Sequence, residues 1–551
     1  MRLLPEMENK RYIMDVTVAQ TVQSLGVKIK EKLVALDMLW VFLFGLLVRL
    51  WLITSHPSMY GGDSVLRMVH TDKIVIAYNL PLLQFLIFLV SKISSNPFML
   101  RFLMALIGSV AGCGIYLLVT KLFDRNVARL SALLFSVNPF ILVNSIVPYQ
   151  EVLMLSLLFF AGYFLIRDSS SSDRYISSFF IGTACLTRYE GWMAALFIVA
   201  VTFLHGLNRT NLSINFKKVF YTTLLFCWVP VLWVILNKGL NPEGTFVLDT
   251  EFTFARLIRI PYIIAKTIYV STPAVAFFGF IGLVIIVLSE KRKDKRLLAI
   301  AGFFLLFLTI LTIWGHDYPP GSNLVTEREV QLPLSLFLIC AAFGIDKIFK
   351  WVYSLIIEYT HDRIREGLVK RIITVLMLLI IISFPLKMSY DEVYSRSSEP
   401  GPKVSYLASQ VIDRIMSKKE KALILAKEWP KSLIDAALQR RFGKSVYDEM
   451  NKAFKMGEEL ALPCDYQLLV ASSKYGKNEL ISTHYYRNLS ETDATKFLKK
   501  EGFKYMVLFS DFIPETQCEK FILSTYDGKK ELLEKVGDET KYASIYLIRI
   551  P

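Results

Sequence analysis

Long runs of apolar residues fill the chain from residue 36 to residue 386, and polar residues then become interspersed with apolar ones up to the C-terminus. A helix needs about 20 mostly apolar residues to cross a bilayer core of roughly 30 Å, and several runs meet or approach that length. We predict spans at 36–53, 99–120, 129–147, 152–166, 175–188, 191–206, 219–236, 264–288, 297–314, 331–349 and 372–387. The pattern therefore predicts a polytopic α-helical membrane protein with about eleven spanning helices.

The stretch 79–95 is apolar but short, and the distribution of Lys and Arg decides how it is interpreted. If it does not cross and the N-terminus is cytoplasmic, the basic loops at 121–129, 289–296 and 350–371 all face the cytoplasm, as positive-inside topology requires. If it crossed, the basic run 289–296 would face outward. We therefore predict an interfacial helix at 79–95, a multi-pass protein of the cell membrane and an extracytoplasmic C-terminal region.

The C-terminal pattern alternates between helical and strand periodicity. It predicts helices near 403–417, 430–440, 490–501 and 515–525, and strands at 422–427, 467–472, 504–509 and 543–549. We expect a soluble α/β domain over residues 389–551, which follows a cytoplasmic segment at 1–35 and a membrane domain at 36–388. Composition does not decide whether that domain binds an acceptor or covers a site.

The net charge of +15 raises the question of nucleic-acid binding. The chain has no zinc-ligand spacing, RNA-binding signature or helix-turn-helix pattern, so we assign the basic residues to cytoplasmic loops and expect no nucleic-acid partner. Four of the six cysteines lie in apolar runs and are interpreted as packing residues. Cys464 and Cys518 lie in the C-terminal region, and spacing alone leaves their pairing open.

Polar residues gather in four of the predicted outer loops, where charge beside a bilayer is expensive and often functional. The first group is Tyr60, Asp63, His70 and Asp72; the second is Tyr149 and Glu151; the third is Arg188 and Glu190; the fourth is His316, Asp317, Glu327 and Arg328. We interpret Asp63 and Glu151 as candidate catalytic residues and the others as candidate substrate-binding residues.

Each group also has an ordinary structural interpretation. Asp63 could cap the helix after it, and Glu151 could stabilise a helix N-terminus through the helix dipole. Arg188 could pair with Glu190, or its fork of donors could bind a phosphate. The side chain of Arg328 could simply extend towards water from the membrane edge.

The order of several weak motifs over residues 36–350 resembles that of GT-C glycosyltransferases, in the branch of protein O-mannosyltransferases and lipid A aminoarabinose transferases. The motifs are Gly62-Asp63 after the first span, Pro81 opening the interfacial helix, Phe98–Phe102, Asn138-Pro139-Phe140, Glu151, Leu186-Thr187-Arg188, and Arg328 with Leu332-Pro333. The chain departs from the family pattern where Ser64 replaces a frequent Glu and where Asn79-Leu80-Pro81 replaces Lys-Pro-Pro. The oligosaccharyltransferase motif Trp-Trp-Asp-Tyr-Gly is absent, which disfavours that subfamily.

The resemblance implies an inverting transfer of a hexose such as mannose from a polyprenyl-phosphate donor in the membrane. The acceptor would be an extracytoplasmic hydroxyl of a protein, a glycan or a lipid. Asp63 would be the base, Glu151 would orient the acceptor or assist Asp63, and Arg188 and Arg328 would hold the phosphate. The resemblance specifies no cofactor, and a divalent cation is left open.

Two other function classes compete with this interpretation. A transporter or flippase for a lipid-linked sugar should show repeated halves or discontinuous helices near the midplane. We find no two-fold repetition, and the charged groups lie at span ends. A non-catalytic membrane scaffold would differ by lacking hydrolysis or transfer of a lipid-phosphate sugar.

We predict that Asp63→Asn abolishes sugar transfer while donor binding persists, because the amide cannot accept the proton of the acceptor hydroxyl. Purified protein would be tested for both transfer and donor binding. Full activity of the variant would rule out Asp63 as the base.

Overall fold

A computed structural model of the 551-residue chain describes most of the helical core and parts of the C-terminal region. The described residues are 32–59, 63–72, 74, 80–94, 96–167, 170–206, 216–240, 259–288, 328, 330–360, 372, 375, 379, 382–395, 400–417, 420–425, 464–475, 480–482, 486, 489–509, 517–526, 531–536 and 545–550. The side chain of Asp63 and those of a few other helical residues lie outside this description.

The part of the chain before residue 400 is helical wherever regular structure is described. Its helices are α1 (Lys32–Ser55), α2 (Asp63–Val69), α3 (Pro81–Ile93), α4 (Pro97–Leu122), α5 (Arg125–Val137), α6 (Pro139–Asn144), α7 (Gln150–Arg167), α8 (Ser171–Cys185), α9 (Tyr189–Gly206), α10 (Phe216–Leu240), α11 (Arg259–Ser271), α12 (Pro273–Leu288), α13 (Gln331–Thr360) and α14 (382–395). Helices α4, α5, α7, α8, α12 and α13 pack around one large apolar core.

Among the described residues, four helices are long and apolar enough to cross a membrane: α1, α4, α7 and α13 through Leu355. The pair α11–α12 makes a fifth if the two halves count as one span. Other predicted spans correspond to the 15-residue helix α8 and to the apolar parts Tyr189–Ala200 of α9 and Phe220–Trp233 of α10. The span predicted at 297–314 lies outside the described residues. The chain is thus a multi-pass helical membrane protein, and the number of about eleven spans stays a prediction.

The short apolar stretch predicted at the interface forms the 13-residue helix α3. At 1.5 Å per residue it is about 20 Å long, which is too short to cross the hydrocarbon core. Pro81 opens the helix at its first position, where a missing N–H costs nothing.

Two predicted spans are broken by proline. Within the span predicted at 129–147, helix α5 ends at Val137. Asn138 then caps the short helix α6 by accepting hydrogen bonds from the backbone N–H groups of Phe140 and Ile141. The side-chain amide of Asn138 also donates to the carbonyl of Val270, 2.9 Å away, and so connects this break to the end of α11.

The span predicted at 264–288 bends by 118° between α11 and α12. Thr272 at the bend has a φ of +73°, which is strained for a β-branched residue. Pro273 follows directly and cannot donate the next helical hydrogen bond, which favours a break here. The predicted span therefore consists of two helices joined at a sharp bend.

Three glycines allow α12 and α13 to approach closely. A Cβ on Gly282 would lie 1.9 Å from the carbonyl oxygen of Cys340, and one on Gly344 would lie 2.2 Å from that of Phe278. A Cβ on Gly279 would meet the ring of Phe337 at 2.5 Å. Two of these contacts are with backbone, which cannot rotate away as a side chain can.

The C-terminal region contains a five-stranded mixed sheet with the strand order β2-β1-β3-β5-β4. Its strands are β1 (Ala422–Leu425), β2 (Leu480–Ser482), β3 (Tyr505–Phe509), β4 (Glu531–Val536) and β5 (Ile545–Arg549). Strand β1 pairs parallel with β2 and β3, whereas β5 pairs antiparallel with β3 and β4. The helices that surround the sheet are α15 (Pro400–Ile415), α16 (Cys464–Ser472), α17 (Glu491–Glu501) and α18 (Gln517–Tyr526).

The strand predicted at 467–472 was wrong, because this stretch belongs to helix α16. Strands β1 and β2 are parallel, so the chain between them has to cross back over the sheet, usually through a helix. Residues 468–473 are buried without interruption, and such an apolar run does not distinguish a buried strand from a buried helix. Sequence periodicity also missed the strands β2 and β4, and the helix predicted at 430–440 lies outside the described residues.

The sheet region packs directly on the helical bundle. Alternate residues of β1 face opposite sides: Leu423 and Leu425 join a core with α17 and α18, whereas Ala422 and Ile424 join a second core. This second core includes apolar residues of α2, α3, α15 and α16. It therefore fixes the sheet region beside the segment that begins with Asp63. Cys518, whose pairing the sequence left open, is a free cysteine buried in the core with α17 and α18.

We predict that Gly282→Ala destabilises the protein by about 1–3 kcal/mol, because a methyl group would force α12 away from the backbone of α13. Thermal unfolding of the detergent-purified protein would measure the loss. The control is Gly162→Ala, whose new Cβ would meet only the movable end of the Leu118 side chain at 3.3 Å. Equal unfolding temperatures for the two variants would contradict the close helix contact.

Candidate functional site

Glu151 lies in the first turn of α7 and is 1% exposed. Its Oε1 atom accepts hydrogen bonds from Arg188 Nη1 at 2.5 Å and from Arg328 Nε at 2.9 Å. Arg328 Nη2 lies 2.8 Å from the same oxygen. The N-terminus of a helix favours negative charge, so α7 and two guanidinium groups stabilise this carboxylate together.

Arg188 lies in the tight turn between α8 and α9, where it connects two carboxylates. Its Nε and Nη2 atoms donate to Glu190 at 2.6–3.0 Å, and its Nη1 atom donates to Glu151. Gly191 is required beside this turn, because a Cβ would lie 2.6 Å from the backbone of Ala184. The turn therefore holds the guanidinium group against the start of α7.

Arg328 approaches from the chain that precedes α13 and stacks on an aromatic ring. Its Cζ atom lies 4.2 Å from the centroid of the Tyr149 ring, a cation–π contact. Tyr149 is itself 5% exposed, two residues before Glu151. Two Glu and two Arg thus form a neutral cluster that joins parts of the chain 177 residues apart.

Asp63 is the first residue of α2, and the contacts of this helix lead to the same cluster. Arg67, one turn after Asp63, donates through Nη2 to Gln150 Oε1 at 2.7 Å. Gln150 directly precedes Glu151, so the helix that begins with Asp63 lies against the start of α7. The distance between the two candidate carboxylates is not among the described contacts, because the Asp63 side chain is outside them.

Two other candidates of the first group, His70 and Asp72, follow the far end of α2. His70 is buried, and its backbone carbonyl accepts a hydrogen bond from Gln84 of α3 at 2.8 Å. Asp72 is exposed. Tyr60, His316, Asp317 and Glu327 lie outside the described residues. The structure thus brings together Tyr149, Glu151, Arg188, Glu190 and Arg328, and leaves the proximity of the others a prediction.

No group of three or more His, Cys, Asp and Glu side chains suited to a metal ion occurs within the described ranges. The requirement for a divalent cation therefore remains open.

Residues 79–234 match the model of a family described as dolichyl-phosphate-mannose-protein mannosyltransferase. The fold is similar to that of ArnT from Cupriavidus metallidurans bound to undecaprenyl phosphate, with a TM-score of 0.53, 11% identity and coverage of 93% of this chain and 98% of that one. The comparisons thus show that the chain shares its fold with ArnT and that residues 79–234 resemble the mannosyltransferase family.

Two further solved structures are similar to this chain. The apo state of the same ArnT gives a TM-score of 0.51 at 11% identity, over 92% of this chain and 97% of that one. The archaeal oligosaccharyltransferase AglB from Archaeoglobus fulgidus, in complex with an inhibitory peptide and a dolichol-phosphate, gives 0.46 at 14% identity, over 86% and 69%. Among curated proteins, none is similar enough in sequence to count as a match.

Sequence reasoning missed several polar residues that contact or form the segment before Glu151. Arg49 and Arg101 lie within apolar spans, and Gln150 adjoins Glu151, yet none was chosen as a candidate. A charge inside a span is itself a functional signal, and that rule would have found both arginines.

We predict that Glu151→Gln lowers the stability of the protein by on the order of 2–3 kcal/mol, because two largely buried guanidinium groups lose the charge that they share. Thermal unfolding of the purified protein would measure the change.

The matched control is Glu190→Gln. It should cost less, since Arg188 keeps Glu151 and Arg328 is not affected. An equal or larger loss for Glu190→Gln would contradict the central place of Glu151.

Proposed function

We propose that this protein is an inverting glycosyltransferase that moves a sugar, with mannose as the first candidate, from a polyprenyl-phosphate donor to an extracytoplasmic acceptor hydroxyl. The observation that carries the proposal is the buried Glu151–Arg188–Arg328 cluster at one end of a GT-C helical bundle. The solved ArnT structure with undecaprenyl phosphate and the family description of residues 79–234 support the donor class.

The arginines suit the leaving group of this reaction. A lipid phosphate leaves as an anion, so the transition state needs fixed positive charge rather than a strong acid. The side chains of Arg188 and Arg328 are 16% and 25% exposed, so a phosphate group could contact both. The donor phosphate would share their N–H groups with Glu151, which holds the two guanidinium groups side by side.

The second oxygen of Glu151 supports a role towards the sugar or the acceptor. Oε1 accepts all the hydrogen bonds from the arginines, whereas Oε2 is buried and has no hydrogen-bond partner among the described residues. A buried oxygen without a partner is costly, and a substrate hydroxyl could donate to it. Glu151 would then orient a substrate hydroxyl while it positions the phosphate-binding arginines.

Asp63 is the proposed base. It begins α2, and the Arg67–Gln150 contact holds that helix against the start of α7. A base on the side of the sugar opposite the phosphate would give inversion at the anomeric carbon. With an ordinary pKa of about 3.9, a carboxylate accepts the proton late, when the hydroxyl is already bonding to the sugar.

The proposed orientation places the Glu151 cluster on the extracytoplasmic side. Arg125 and Arg129 form ion pairs with Asp37 near the N-terminus of α1. These basic residues fit a cytoplasmic surface at that end of the helix. The sheet region packs on α2 and α3 at the Glu151 end, where it could bind an acceptor or cover the site.

The proposal is tested with the full-length protein in liposomes that contain polyprenyl-phosphate mannose labelled in the sugar. We expect release of polyprenyl phosphate, with label moving to water or to an added acceptor. Arg328→Met should reduce kcat/KM by roughly 100-fold, as loss of one charge-stabilising donor does in other enzymes. The control is Asp493→Asn on the exposed surface of α17, which should keep the wild-type rate.

Two results would contradict the enzyme proposal. Movement of the intact labelled lipid between leaflets without release of polyprenyl phosphate would indicate a flippase. Neither movement nor release, with mannose and with other hexoses in the donor, would favour a scaffold.

A further inference from the structure

The largest fully buried side chains of the protein include three arginines, which lie on three different helices. Arg49 of α1, Arg67 of α2 and Arg101 of α4 are 0%, 1% and 2% exposed. A guanidinium group is expensive to bury, and more so within a bilayer, so each of these positions calls for a physical reason.

All three arginines bind the same short piece of chain. Arg49 Nε donates to Ser145 Oγ at 2.7 Å, and Arg101 Nε donates to the carbonyl of Ile146 at 3.0 Å. Arg67 Nη2 donates to Gln150 Oε1 at 2.7 Å. These acceptors span residues 145–150, the segment that leads directly into Glu151.

Arg101 also binds a second piece of chain. Its Nη1 donates to the carbonyl of Pro57 at 2.9 Å, and Nη1 and Nη2 donate to that of His56 at 3.2–3.3 Å. Residues 56 and 57 follow α1 on the way to Asp63. One guanidinium group therefore joins the segment before Asp63 to the segment before Glu151.

The surrounding sequence makes room for these side chains and responds to their charge. A Cβ on Gly108 would lie 2.4 Å from Arg49 Nε, so a larger residue there would displace the guanidinium group. Burial, and then the charge of Arg101, lower the pKa of His56. The acceptors are carbonyl, amide and hydroxyl oxygens, which a flat fork of donors binds in a fixed geometry.

We propose that Arg49, Arg67 and Arg101 are positioning residues that clamp residues 145–150. The clamp would set Glu151 against Arg188 and Arg328 and hold it at a fixed place relative to the chain leading to Asp63. The catalytic part of this inference rests on the proposed glycosyltransferase function, whereas the clamp itself does not.

The test compares Arg101→Lys with the wild type in the full-length protein reconstituted in bilayers. Lysine keeps the charge, but its three donors share one nitrogen atom and cannot reproduce the reach of the guanidinium fork to two separate segments. Backbone hydrogen exchange, read by mass spectrometry, should become at least about tenfold faster over residues 145–151, because opening needs fewer broken contacts. With polyprenyl-phosphate mannose, kcat should fall roughly 10- to 100-fold while KM changes by less than about threefold, as expected for misplaced groups.

Two further variants serve as an independent test and as a control. Arg49→Lys should raise exchange in residues 145–151 in the same way, so a folding failure of one variant does not decide the question. Arg129→Met is the matched control: it also loses guanidinium contacts to α1, but at Asp37 near the other end of the helix. Its exchange over 145–151 and its kcat should equal those of the wild type.

Each outcome has one meaning. Wild-type exchange over residues 145–151 in both lysine variants would overturn the clamp, whatever their activity. Faster exchange with unchanged kcat would overturn the positioning role. A wild-type protein without transfer or hydrolysis would contradict the proposed function, and the exchange comparison would still decide whether the clamp exists.

Discussion

One oxygen atom of a buried carboxylate joins three distant parts of this chain. Glu151 Oε1, at the start of α7, receives Arg188 from the α8–α9 turn and Arg328 from the segment before α13. Charges beside a bilayer are tolerated when they are paired and hydrogen-bonded, and here two carboxylates and two guanidinium groups balance. Without this oxygen, the three segments would lose the hydrogen-bonded ion pairs that connect them.

We propose that the rest of the bundle positions that oxygen. The break at Asn138 and Pro139 starts α6, and a short segment after α6 leads to the start of α7. Buried arginines from α1, α2 and α4 then contact it from three sides. In the proposed reaction, these contacts would hold the segment in one place, which is what an electrostatic catalyst needs from its polar groups.

The C-terminal region belongs to the same arrangement. Its sheet shares an apolar core with α2 and α3, so the segment that begins with Asp63 lies between the bundle and the sheet. Any movement of the sheet region would be transmitted to α2 through this core. In the proposed reaction, this contact gives an acceptor bound by the C-terminal region a direct physical connection to the proposed base.

The sequence by itself determined the helical membrane architecture, the short apolar helix α3 and most elements around the sheet, because apolar run length and periodicity are local properties. It also singled out Glu151, Arg188 and Arg328, since charges at span ends are conspicuous. Only the tertiary structure decided that Arg188 and Arg328 bind the same oxygen of Glu151. It also decided that Arg49 and Arg101 bind residues 145 and 146, and that residues 464–472 form a crossover helix. Those outcomes depend on how helices rotate against one another and on whether two strands pair parallel, and neither property is encoded in any single stretch of residues.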